Sequence, residues 1–487
     1  VTSASGVTLL GAPQIFGQHL SLMHGWLPLT VQILTAAVLL LALGPRARSR
    51  RWWLLATPVA VLVGSGAALL AHSYITCGGY AGEPAPKGLW IWIALTGLAA
   101  VVLVLGWPGA RWWRRTAAVA ALPLCVLSAA LALNLWVGYF PTVQIAWNQL
   151  TAGPLPDETD AGAVTALAHT VAQTKTLPAK GSVLKVDTGS SASGFAHRDE
   201  LVYLPPAWFA TVPPPTLPTV MMIGGEFNTP GDWLRAGSAI ETADAFATAH
   251  HGNAPVLVFV DSGGQFNNDT ECVNGPRGRV ADHLVNDVRP YLISQFHVSP
   301  AAANWGVAGW SMGGTCAVDL VSMHPDKFSA FEDIAGDLAP SAGNPEQTLR
   351  RLYDGDKALQ ASFDPSTVIT THGRYQNVAG RFDVNGTLRT AHGPAVIEEA
   401  AHTLPDASDQ MLAAQTLCGL GRSAGMDCAV IEQPGGHNWP FAAQAFRLAL
   451  PWLAGAVGTP GVDRIPVSHT DIAPAAPSGQ PLQAKGP

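Results

Sequence analysis

At 487 residues the chain is long enough for two or three domains. It is 48% hydrophobic and only 13% charged, with a mean hydropathy of +0.22, too apolar for an ordinary soluble enzyme and too polar for a protein made only of membrane spans. Residues 1–140 hold eight Lys and Arg against one acidic residue, and the rest holds 19 basic against 33 acidic. An apolar, basic front therefore precedes an acidic, polar back, and no basic face suited to nucleic acid stands out.

Four apolar runs, 26–43, 52–75, 89–107 and 116–139, are each long enough to cross a bilayer and nearly free of charge. Tryptophans 26, 52, 53, 90, 107 and 136 sit at their ends, where interfacial belts form. The first connection carries Arg46, Arg48, Arg50 and Arg51, and the third carries Arg111, Arg114 and Arg115. The second, 76–88, has Lys87 against Glu83. The positive-inside rule predicts the first and third connections in the cytoplasm, with both termini and everything after Tyr139 outside. The first run does not read as a signal peptide, because no positive charge precedes it and an arginine cluster follows it.

Residues 141–180 read as a linker with a surface helix over 161–174. A soluble domain, 181–455, follows. Strands are expected at 183–186, 201–204, 219–223, 255–260, 305–308, 328–335, 374–379 and 428–432. Helices are expected at 236–249, 281–295, 315–323, 410–423 and 441–453. Apolar strands alternating with helices imply a mostly parallel sheet covered on both faces. The Pro/Ala-rich stretch from about 456 to 487 has the composition of a disordered tail.

Gly309-Trp310-Ser311-Met312-Gly313 reads as strand, sharp turn and helix start, the G-x-S-x-G nucleophile-elbow pattern. A serine hydroxyl needs a base, and the base needs an orienting acid. His437, in Pro434-Gly435-Gly436-His437-Asn438-Trp439-Pro440, follows the last strand, where the base belongs in an α/β hydrolase. Asp383 is the preferred acid, as a carboxylate following the 374–379 strand. Asp406, Asp409 and Asp337 are the alternatives. Oxyanion donors are expected at the Met312 N–H and, from the loop Gly224-Gly225-Glu226-Phe227, at the Glu226 N–H, with Phe227 as alternative.

Together these pieces resemble the esterase D family of α/β hydrolases, which includes S-formylglutathione hydrolases and the mycolyltransferases of actinobacterial envelopes. The resemblance lies in Met221-Met222-Ile223-Gly224-Gly225, the elbow, the His437 segment, Leu201-Val202-Tyr203-Leu204-Pro205-Pro206 and Asp269-Thr270-Glu271-Cys272-Val273. It covers roughly 181–455. It departs at Gly224, where the family often has His or Asp. The resemblance implies ester hydrolysis or acyl transfer to a hydroxyl, with no metal and no cofactor. Cys418 and Cys428, and likewise Cys272 and Cys316, could pair, and buried thiols are the other reading.

The expectation is thus an α/β hydrolase behind four transmembrane helices, acting outside the cell membrane on lipid or cell-envelope esters. Its alternative is a membrane scaffold or binding protein that keeps the hydrolase fold without the chemistry.

Overall fold

The computed structural model describes residues 20–467, apart from 24, 45–48, 79–84, 138, 152–154, 156, 266–267 and 387–409. Four long helices come first: α1 (Trp26–Leu43), α2 (Arg50–Gly78), α3 (Lys87–Leu105) and α4 (Trp112–Val137). Each is long and apolar enough to cross a membrane. Leu39, Ala42, Ala99, Val102, Ala118, Ala121 and Cys125 form a core shared by α1, α3 and α4, while Leu29, Leu54, Leu62, Leu70 and Val104 face outward. Several polar atoms inside the group are paired, as an apolar surrounding favours. Thr35 Oγ1 and Ser128 Oγ lie 2.9 Å apart, and an Arg114 Nη2 donates to the Leu43 carbonyl at 3.0 Å, at the end of α1. Asn134, near the end of α4, grips both the N–H (2.7 Å) and the carbonyl (2.9 Å) of Phe140 and so fixes the direction in which the chain leaves.

The strands that follow are β1 (Glu158–Thr159), β2 (Ser182–Val186), β3 (Glu200–Leu204), β4 (Thr219–Ile223), β5 (Val256–Val260), the short hairpin β6 (Asn274–Gly275) with β7 (Gly278–Arg279), β8 (Trp305–Trp310), β9 (Ala330–Ile334), β10 (Ala379–Gly386) and β11 (Asp427–Pro434). Nine of them form one sheet in the order β1-β2-β3-β5-β4-β8-β9-β10-β11. Only β3 runs antiparallel to its neighbours. Successive side chains of β4 show why the strands read as continuous apolar runs. Met221 and Ile223 enter one core, Val220 and Met222 the other, and helices cover both.

Two expected elements shift. The strand expected at 374–379 lies at Ala379–Gly386, where it pairs with β9 and β11, so Asp383 sits inside a strand rather than after one. The expected helix 281–295 contains a π turn at His283–Val288. Pro290 has no N–H to offer Asn286, and the hydrogen-bond ladder slides there. The first part of the stretch expected to be a disordered tail is packed onto the domain. Val457 and Val467 are fully buried, and the Val467 N–H reaches the Asp427 carboxylate at 3.4 Å. Residues 468–487 lie outside the described part.

Both cysteine pairs close into disulfides. Cys272–Cys316 ties the β6 approach to the helix Met312–Met323, and Cys418–Cys428 joins the helix Gln410–Ser423 to β11. Cys272–Cys316 closes the longer loop, spanning 44 residues. A Cys272→Ser, Cys316→Ser double variant is therefore expected to lose about 2–4 kcal/mol of stability. Chemical denaturation checks this, and an unchanged midpoint would show that the bond constrains nothing.

Candidate active site

β8 ends at Trp310, and the chain reverses at Ser311 with φ 58° and ψ −122°, a strained conformation for a side-chain-bearing residue. The turn closes because Gly309 lies against the first turn of the helix Met312–Met323: a Cβ there would sit 1.7 Å from the Gly313 carbonyl oxygen. The Ser311 N–H donates to the Ile334 carbonyl at 2.9 Å, which fixes the turn to β9. The hydroxyl is left projecting above the sheet, partly exposed.

His437 follows β11, just before the helix Trp439–Ala456. Asn438 caps that helix, accepting from the Phe441 N–H at 3.1 Å. The imidazole Nε2 lies 2.9 Å from Ser311 Oγ. Trp310 packs on the ring at 4.3 Å between centroids. Burial pushes the His437 pKa down to about 4, and among the described residues no carboxylate hydrogen-bonds the ring to oppose that. Its Nδ1 meets the Gln410 amide at 2.9 Å. A base that accepts the serine proton at Nε2 must carry its own proton on Nδ1, so Gln410 serves that tautomer when its carbonyl end faces the ring.

Asp383, expected to orient His437, is not brought to it. Its place within β10 puts it on the same face as Arg381, two residues earlier. Arg381 clamps it with two hydrogen bonds (2.7 and 2.8 Å) and Gln433 donates a third. The carboxylate is completely buried. Asp337 accepts from Ser341 Oγ at 3.3 Å, and its N–H donates to Thr315 Oγ1. Asp406 and Asp409 lie outside the described residues. Gln410 had read only as a helix start. Its position directly after Asp409 and four residues after Asp406 was the signal available.

The loop after β4 lies beside the serine: a Cβ on Gly225 would be 3.2 Å from Ser311 Cβ. Its Gly225 N–H is consumed by Asn228 Oδ1 at 2.7 Å, so it has no proton to offer an oxyanion. Among the described residues nothing accepts from the N–H of Glu226 or of Met312. Phe227 takes a left-handed φ of 64°. The Glu226 carboxyl itself is held up at about 9, first by burial and then by Asp269 nearby. It stays protonated at neutral pH and sets no negative charge against a developing oxyanion. Burial likewise raises Asp269 to about 6 and Glu271 well above its ordinary value.

Among the described residues one group of side chains has metal-ligand chemistry: His197, Glu200 and His283, whose donor atoms lie within 4.8 Å of one another. Their hydrogen bonds account for the grouping. His197 Nδ1 meets the Arg198 carbonyl at 2.8 Å and Glu200 Oε1 at 2.9 Å, and His283 Nε2 meets the same Glu200 oxygen at 3.1 Å. In this arrangement His197 Nδ1 carries its proton toward two acceptors and offers no lone pair.

A parallel sheet with one antiparallel strand near its edge, a serine on a strained strand-to-helix turn and a histidine after the last strand define a serine-type α/β hydrolase domain. Residues 197–448 match the Esterase family, described as "Putative esterase", and the chain belongs to that family. The domain is accordingly one of serine carboxylic ester hydrolysis or acyl transfer. An uncharacterized protein of Corynebacterium glutamicum is 30% identical over 274 residues, which are 55% of this chain and 59% of that protein's length. Solved structures similar to the domain include an S-formylglutathione hydrolase from Agrobacterium tumefaciens, with 16% identity and a TM-score of 0.43, covering 58% of this chain and 98% of that one. Another is MPT51 (FbpC1) of Mycobacterium tuberculosis, with 18% identity and a TM-score of 0.39, covering 56% and 98%.

Proposed function

We propose that the protein is a membrane-anchored, extracytoplasmic serine esterase or acyltransferase acting on lipid or cell-envelope esters, with residues 1–140 as anchor, 141–180 as linker and 181–455 as catalytic domain. The observation that carries the chemistry is the 2.9 Å contact between Ser311 Oγ and His437 Nε2 on a strained elbow. Four apolar helices joined directly to the domain support anchoring, and Tyr139, just past α4, hydrogen-bonds the buried Asp232 carboxylate of the domain. Arginines on the first and third connections support an outward-facing domain, as do two disulfides, which persist in oxidising compartments. An anchored site lies where lipid esters are concentrated.

In the proposed reaction Ser311 Oγ attacks the ester carbonyl while its proton passes to His437 Nε2. The N–H groups of Met312 and Glu226 hold the tetrahedral oxyanion. The intermediate collapses, and the leaving alkoxide takes the proton from His437, leaving acyl-Ser311. Water or an acceptor hydroxyl then attacks, giving its proton to His437, and as the second intermediate collapses Ser311 Oγ takes that proton back while the acid or the new ester leaves. Fluorophosphonate labelling of intact cells, followed by turnover of esters of graded chain length, tests the proposal. Labelling only after lysis would invert the topology, and a preference for short acyl chains would remove lipid esters as substrates.

The acid of this scheme is proposed to be Asp406 or Asp409, because Gln410, next in the chain after Asp409, already lies against His437 Nδ1. A carboxylate there favours the imidazolium and raises the histidine pKa, so removing it lowers the pKa. One of Asp406→Asn and Asp409→Asn is expected to cut kcat by roughly 10⁴-fold. The same variant shifts the acidic midpoint of the acylation rate downward, toward the value of about 4 that burial alone produces. Asp383→Asn is expected instead to destabilise the fold, by about 3–5 kcal/mol, because Arg381 loses its buried partner. A downward pH shift in Asp383→Asn alone would return the role to Asp383.

A further inference from the structure

The loop that follows β4 is held in place by a brace reaching from β3 to the end of β5. The Asn228 N–H closes back on the Gly225 carbonyl at 3.2 Å, and Asn228 Oδ1 takes the Gly225 N–H at 2.7 Å. Between them stand Glu226 and the left-handed Phe227. A bulky residue in that region is strained and persists only where its surroundings enforce it. The enforcing contact is on Asn228: its carbonyl accepts from an Arg198 Nη2 at 2.9 Å.

Arg198 is itself held by several contacts. Its Nε and its backbone N–H both donate to Asp261 Oδ2, at 3.0 and 2.6 Å, and Nη2 engages Asp261 Oδ1. The Asp261 side chain is fully buried and also receives the N–H groups of Gly263 and Gly264. The Arg198 carbonyl accepts from His197. The guanidinium fork thus spends one edge on the carboxylate and part of the other on the turn, a division a lysine ammonium lacks the shape to reproduce.

We propose that Arg198 is a positioning residue for ester cleavage: held by Asp261, it locks the Gly225–Asn228 turn so that the Glu226 N–H is aimed at the oxyanion above Ser311. The proposal rests on the roles proposed above for Ser311, Met312 and Glu226. It touches no substrate and acts through Asn228.

The test uses the full-length protein in lipid vesicles. Wild type, Arg198→Lys, Arg198→Ala and Asn228→Ala are compared for kcat and KM on an activated ester and on its thiono analogue, with melting temperatures alongside. A well-aimed oxyanion hole prefers oxygen over the larger, weakly accepting sulfur, and removing one donor from such a hole costs roughly 10²–10³-fold. A misaimed donor is expected to cost about ten- to a hundredfold in kcat on the oxygen ester with KM nearly unchanged, and less on the thiono ester, so the preference collapses. Arg198→Lys is expected to recover little. Asn228→Ala keeps both the ion pair and the carbonyl that Arg198 grips but removes the Oδ1 that holds the Gly225 N–H, so it loosens the turn itself and should also lose the preference. Partial recovery of Arg198→Ala by millimolar guanidinium would support the brace. The proposal is overturned if Arg198→Ala keeps the oxygen preference of wild type, whether its rate is unchanged or falls equally on both esters. A wild type that turns over neither ester would sink the catalytic reading along with it.

Discussion

Ser311→Ala is expected to abolish fluorophosphonate labelling and to lower ester turnover by roughly 10⁴-fold or more, the scale lost when a serine nucleophile is deleted. No other described hydroxyl shares the 2.9 Å contact with His437 Nε2, so nothing nearby can substitute. The variant should fold normally. The serine side chain donates nothing to the turn, whose closure depends on the Ser311 N–H to Ile334 and on the Gly309–Gly313 approach. A melting temperature equal to wild type, with labelling lost, is therefore the signature of a missing nucleophile. If wild type and Ser311→Ala label equally, the nucleophile lies elsewhere. If neither labels, the scaffold reading replaces the enzyme.

Gly309→Ala is expected to be the most damaging small substitution in the domain. The added methyl would lie 1.7 Å from the Gly313 oxygen and 2.1 Å from its carbon, both backbone atoms that no rotamer change can move. The elbow has to open, and with it the helix whose first turn supplies the Met312 N–H. The cost should exceed about 4 kcal/mol, in the range reserved for backbone clashes in a core. Gly419→Ala is the control. It lies in the helix Gln410–Ser423 with open space where its Cβ would go, and alanine is the better helix former by about 1 kcal/mol. Denaturation of the purified pair separates the two. A Gly309→Ala protein within about 1 kcal/mol of wild type would mean that the elbow is looser than described.

Much of the architecture was legible because it depends on local composition. Runs nearly free of charge announce α1–α4, and their observed bounds differ from the hydropathy reading by no more than about a turn. The strand preceding Ser311 and the glycines around it are readable because strand, strain and close approach leave few alternatives. The contact between Ser311 and His437, 126 residues apart, was anticipated from chain order in this fold rather than from any local pattern.

What the sequence could not supply is pairing at a distance. Asp383 looked like a strand-end carboxylate because residues 374–379 are as strand-like as those that follow. Register against β9 and β11 decided that the strand starts at Ala379, which buries Asp383 beside Arg381. Arg198 and Asn228 carry no local sign of a shared role, and only the approach of β3, β4 and β5 joins them to Asp261 in one brace. The sequence by itself determined four membrane-length helices, an alternating α/β domain and the positions of Ser311 and His437, since hydropathy, periodicity and backbone strain are written residue by residue. The tertiary structure alone decided which carboxylates are taken by arginines and which amides remain for an oxyanion. Those outcomes depend on strand register and side-chain geometry across the sheet, and no span of neighbouring residues encodes them.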